Sequence, residues 1–177
     1  MGEPQVTIKV DDETGRWSVD SVPMILVPQH FFLNNHLAVE AALGAERLEE
    51  ILRPAGYKSA YVWCEKEAAF HGLSGVEVFR HYMKRLSQRG WAQFDVLEVD
   101  EAAGTGRIRV RHSSLVDEAR AKAGRKLCYM FNSWFEGSLE YVMASAGHPR
   151  TLKAREVYCR AEGRHDHCLF EVTPAEG

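Results

Sequence analysis

From Leu127 to Ala146 apolar residues recur every three or four positions: Leu127, Met130, Phe131, Trp134, Phe135, Leu139, Val142, Met143, Ala146. This is the strongest helical period in the chain, and Gly147-His148-Pro149 ends it. Within it Ser133 and Gly137, four apart, form a stripe of small residues where another backbone could come close. Phe31, Phe32, Leu37, Val39, Ala42 and Leu43 predict an earlier helix that Gly44 stops. Residues 45–52 predict another, closed by Pro54-Ala55-Gly56, and Tyr57 to Phe70 a third. Val76 to Arg89 reads as a helix with Ser74 as its N-cap and Gly90 as its end. Two-residue alternation predicts strands over 92–99 and 106–112, joined by a turn-rich loop from Asp100 to Gly106. Strands over 150–160 and 167–173 close the chain, and 113–126 is a polar link, partly helical.

Residues 5–20 alternate weakly around Asp12-Glu13-Thr14-Gly15 and predict a hairpin arm. Met24 to Val27 is a short apolar run ended by Pro28. The expected organisation is an arm over residues 1–22 and one domain over 23–177. The expected fold class is α+β, with helices packed on one side of an antiparallel sheet.

A chain of 177 residues, 45% hydrophobic and 27% charged, can bury the core of a single domain. A net charge of −3 gives no footprint for nucleic acid or an anionic membrane. No apolar run approaches the roughly 18–20 residues that span a bilayer, and the first residues do not read as a signal peptide. A cytoplasmic location follows, and there reduced thiols serve as metal ligands more often than as disulfides.

Three of the four cysteines fall between Cys128 and Cys168, with Glu156 three positions before Cys159. Thiolate and carboxylate are ligand types that zinc takes, four at a time in a tetrahedron. In a regular strand Glu156 and Cys159 point to opposite faces, so they converge only if the strand ends or bulges between them. Cys159 and Cys168 bracket Gly163, and a hairpin there brings them together. Cys128 would arrive from the start of the long helix. Without a Cys-x-x-Cys pair, the pattern alone fits ordinary buried cysteines equally well.

Several pieces in order resemble the 4-vinyl reductase domain family: Gly72-Leu73-Ser74-Gly75, Gly90-Trp91, a hairpin ending at Ser113-Ser114, Cys128 with Ser133 and Gly137, and Glu156-x-x-Cys159-Arg160-Ala161-x-Gly163 leading to Cys168-x-Phe170. The resemblance runs from about Met24 to Val172. It implies an α+β homodimer related to small subunits of the transport-protein-particle tethering complex. It also implies a structural zinc on Cys128, Glu156, Cys159 and Cys168, as in the phenol-sensing members. The tip between Cys159 and Cys168 is one residue longer than in those sensors. His165 and His167 are read as solvated turn residues, with replacement of a cysteine as the alternative.

Phenol sensors hold their ligand in a closed apolar cavity with a histidine and a tryptophan as polar handle. The resemblance therefore points to His81, Trp91, His112, Tyr129 and Trp134 as ligand-binding candidates. Arg111-His112 stands where those sensors place a tryptophan, so a more polar or anionic ligand is expected. The first reading is a non-catalytic sensor for an aromatic or hydrocarbon-type ligand, signalling through its dimer or a separate partner. A reductase, or an accessory of a tetrapyrrole or catabolic pathway, is the alternative, although no Gly-x-Gly-x-x-Gly follows a strand. A scaffold subunit is the third, by fold analogy alone.

Overall fold

The structure is a computed structural model and describes residue 3 and residues 5–20 and 22–175. Of the expected arm, Met1, Gly2, Pro4 and Ser21 lie outside the described residues. The remainder forms a small antiparallel sheet of β1 (Lys9–Val10), β2 (Trp17–Val19) and β3 (Val22–Met24). β3 lies across the junction between the expected arm and the rest of the chain. Three helices follow: α1 (Gln29–Leu43), α2 (Ala45–His71) and α3 (Val76–Gln88). Then come β4 (Gln93–Asp100), β5 (Thr105–Arg111), α4 (Met130–Ser145), β6 (Leu152–Tyr158) and β7 (Cys168–Pro174).

The main sheet is antiparallel throughout in the order β4-β5-β7-β6, so β7 enters between β5 and the outer strand β6. Its inner face carries Ile108 and Val110 of β5, Phe170 and Val172 of β7, and Leu152 and Ala154 of β6, all buried. Its outer face carries Arg107, Arg111, Lys153 and Arg155, all exposed. That split is what period-two alternation produces when helices cover one side only. α4 lies on the inner face, where Phe131 and Phe135 meet Phe170 with ring centroids 6.3 and 5.0 Å apart. The α+β expectation holds, with the helices on one side.

On its far side α4 meets α2 at backbone distance. A methyl group on Gly137 would overlap the Tyr57 carbonyl, and one on Gly56 would overlap the Ser133 hydroxyl. The small-residue stripe is therefore the seat of α2. This also corrects the expected break at Pro54-Ala55-Gly56, because α2 runs unbroken through it for 27 residues. Proline removes one helical N–H bond, but packing against α4 supports the helix there, and Gly56 serves close approach rather than termination. Arg53, beside the proline, ion-pairs with both Glu49 and Glu136. Glu136 in turn accepts the Ala154 N–H at 2.8 Å, joining α2, α4 and β6.

Two local expectations fail. The N-cap of α3 is Gly75 at φ 56°, without a side-chain cap, so Ser74 has no capping role. Residues 113–126 contain no helix; Leu115 and Val116 anchor that link in the core instead.

Candidate functional site

β6 registers Glu156 against Phe170 but Tyr158 against Leu169, one residue too many on the β6 side. That bulge, with the strand ending at Tyr158, turns Glu156 and Cys159 toward each other. A single 3₁₀ turn, Arg160–Glu162, and Gly163 at φ 80° reverse the chain into β7, whose first residue is Cys168. Cys159 and Cys168 then stand with sulfurs 3.3 Å apart. Cys128, two residues before α4, places its sulfur 3.8 Å from that of Cys168 and 3.2 Å from the Ser113 hydroxyl oxygen. All four cysteines of the chain are free thiols.

The donor atoms of Cys128, Glu156, Cys159 and Cys168 all lie within 4.8 Å of one another, and all four residues are buried. Zinc–sulfur bonds of about 2.3 Å in a tetrahedron put sulfurs about 3.8 Å apart. Glu156 Oε2 accepts the Cys128 N–H at 3.1 Å, whereas its Oε1 is buried with no hydrogen-bond partner. The surroundings orient the donors further. The Arg160 N–H donates to the Cys168 sulfur at 3.3 Å, and Lys126 Nζ donates to the Glu156 carbonyl at 2.6 Å. The set fits a thiophilic dication, with one carboxylate oxygen left for it.

Electrostatics agree with a cation. Burial, and then the charge of Cys159, pushes the Glu156 carboxyl up to about 10. Hydrogen bonds from Cys128 and Cys168 hold the Cys159 thiol far below its ordinary value, and the bond to Cys159 raises Cys128. Left to itself the cluster carries one negative charge shared through hydrogen bonds. A dication inverts that logic and permits all four groups to ionise.

His81 belongs to a second cluster with Glu67 and His71. Its Nε2 is 3.0 Å from Glu67 Oε2, and that of His71 is 3.4 Å away. Glu67 is fully buried, and the Arg85 guanidinium stands 4.0 Å from it while bonding Asp20 at 2.6 Å. An arginine already supplies countercharge here, which sets this cluster apart from the cysteine centre. Sequence reading overlooked Glu67 and His71; their four-residue spacing on one helix face was the available signal.

The other ligand candidates separate into three places. Trp91 and Trp134 meet edge to face at 4.9 Å, and Trp91 meets Phe32 at 5.2 Å. Tyr129 is buried, its hydroxyl donating to Glu40 at 2.7 Å and lying 3.2 Å from His36 Nε2. His112 is exposed at φ 52°. A pocket of about 180 Å³ opens beside Trp91, and a larger polar groove of about 530 Å³ runs past Tyr129 and Glu156. His165 stacks on Tyr158 at 4.0 Å and His167 Nε2 lies 2.8 Å from the Tyr158 hydroxyl; neither belongs to the cysteine cluster.

Among solved structures, the chain is similar to the phenol-responsive sensory domain of the transcription activator PoxR with phenol. The TM-score is 0.73 at 18% identity, over 94% of this chain and 84% of that one. It is also similar to a trafficking protein particle complex subunit 3 from Naegleria fowleri covalently bound to palmitic acid. There the TM-score is 0.54 at 13% identity, over 84% of this chain and 95% of that one. At such identities the likeness is one of fold. No curated protein matches the chain. A sequence family does match over residues 2–97, just over half the chain and ending before the four cysteine-centre residues. The chain belongs to that family, a domain of unknown function, DUF5943.

Proposed function

We propose that this chain is a non-catalytic small-molecule sensor domain of the 4-vinyl reductase type, with a structural zinc on Cys128, Glu156, Cys159 and Cys168. The observation that carries the reading is the shared fold with a phenol-responsive sensory domain along 94% of the chain. Fold alone does not dictate function, so the site must supply the rest. Three thiolates and a carboxylate complete a tetrahedron and leave no position open for a substrate, which is the signature of structural zinc. The metal would fasten the start of α4 to the β6–β7 hairpin. Reduced thiols in this number suit a cytoplasmic location.

On this reading the arm is residues 1–22 and the sensor domain 23–177. Trp91 lines the pocket of about 180 Å³ and Trp134 meets it edge to face; His81, His112 and Tyr129 stay ligand-binding candidates on the family resemblance alone. Phe31, Val39 and Leu43 form an exposed apolar row on α1, and a second copy of the chain covering it gives the homodimer. No described helix is long and apolar enough to cross a membrane.

Native mass spectrometry of tag-free protein, followed by thermal melts across aromatic and aliphatic small molecules, tests the whole reading. The expected result is a dimer with one zinc per chain, stabilised by about 2.7 kcal/mol at a hundredfold excess of ligand over Kd. A metal-free monomer with flat melting curves overturns it.

A further inference from the structure

Glu67 is fully buried in α2, yet only one of its carboxylate oxygens is met. Oε2 faces Nε2 of His81 at 3.0 Å and Nε2 of His71 at 3.4 Å, whereas Oε1 has no hydrogen-bond partner among the described residues. A carboxylate taken out of water needs its lone pairs filled, and a single imidazole proton fills only one of them. Arg85 does not make up the difference. Its Nη2 bonds Asp20 at 2.6 Å, and its Nε stands 4.0 Å from Glu67 Oε2 without a hydrogen-bond partner.

The three residues are disposed as ligands of one ion would be. Donor atoms of Glu67, His71 and His81 all lie within 4.8 Å of one another. Zinc bonds of about 2.1 Å to nitrogen and oxygen in a tetrahedron hold two donors about 3.4 Å apart, close to the spacing of both nitrogens from Oε2. Glu67 and His71 share a face of α2 one turn apart, and His81 comes across from α3. His71 lies in the last turn of α2, where unpaired backbone carbonyls favour a cation. The cluster also opens to solvent. The side chains of His71 and His81 are 28% and 18% exposed, so an ion meets the imidazoles first and the buried carboxylate behind them.

We infer that Glu67, His71 and His81 hold a first-row transition dication of the zinc type, at a site separate from the cysteine centre. Imidazole and carboxylate are donors such ions take, and three protein ligands leave a further position for water or a small anion. The Arg85 charge nearby opposes the ion, so its affinity is lower than that of the cysteine centre and a mild chelator strips it first. The inference goes beyond the proposed sensor function and depends on neither its ligand nor the zinc on the cysteines.

The test is equilibrium dialysis of the full chain, purified with zinc, against cobalt chloride at neutral pH, read by elemental analysis, absorption and proton NMR. Cobalt on imidazole and carboxylate shows weak d–d bands without the strong thiolate-to-cobalt charge-transfer band that cysteines give. The expected result is one such cobalt per chain, with two hyperfine-shifted imidazoles among the eight histidines. His71→Ala, at a position open to solvent, should weaken that uptake by at least about tenfold, the loss that even a group merely supporting a ligand carries. It should also remove one of the two shifted imidazoles. If the variant does not fold by circular dichroism, the count of shifted imidazoles in the wild type decides alone. Cobalt bound only with the thiolate band, uptake unchanged by His71→Ala, or a count other than two overturns the inference. None of these outcomes touches the ligand melts that test the sensor reading.

Discussion

The backbone N–H of Cys128 donates to Oε2 of Glu156 at 3.1 Å, across 28 residues of chain. One carboxylate oxygen therefore ties the entry of α4 to β6, while the other is buried without a hydrogen-bond partner. The protein's own hydrogen bonds already hold the ligand set in place.

Replacing one sulfur by a hydroxyl should undo that arrangement. Cys159→Ser is expected to lose the zinc and at least about 3 kcal/mol of stability, since metal binding of this kind is coupled to folding. Elemental analysis with denaturant titration measures both quantities. Full stability and yield in a metal-free variant would remove the zinc from the account.

Gly137→Ala drives a methyl group into the Tyr57 carbonyl, which belongs to a helix backbone and cannot swing aside. Overpacking of this sort costs typically about 1–3 kcal/mol. A melting temperature equal to the wild type would mean that α2 and α4 do not approach as described.

Tyr129→Phe removes the hydroxyl that donates to buried Glu40. Arg125 still pairs with Glu40, so the cost should be about 1–2 kcal/mol rather than the full penalty of a stranded carboxylate. Urea denaturation measures it.

Burial holds His81 below its ordinary value, although the hydrogen bond to Glu67 opposes the shift. Below about pH 6.5 the unfolded chain binds a proton at this position that the folded chain resists. The contribution is present above that pH and is lost as pH falls toward the folded value. Melting temperature should therefore drop on acidification from pH 7, and His81→Gln should flatten the drop. An identical pH profile in the variant would assign the effect to other groups, such as His36, which burial lowers in the same way.

Part of the cysteine centre was legible locally: an offset of three in a strand demands a bulge or an end, and β6 has both after Glu156. Cys128, 28 residues before Glu156, joined the set only through the family resemblance. Helix α2 was less so. Pro54 and Gly56 are stop signals in isolation, and only the facing Ser133 and Gly137, some eighty residues on, convert them into a packed crossing. The ligand residues were least legible. The family resemblance pointed to Trp91 and Trp134 without saying that they would meet edge to face.

The centre's sulfurs also imply an order of assembly. Cys159 and Cys168 are 9 residues apart, whereas Cys128 and Cys168 are 40 apart. Loop closure grows as (3/2)RT ln n, so the longer span costs about 1.3 kcal/mol more to close. On the proposed zinc, the β6–β7 turn should capture the ion first and then recruit the entry of α4, so that the metal would act as a folding nucleus at this end of the domain.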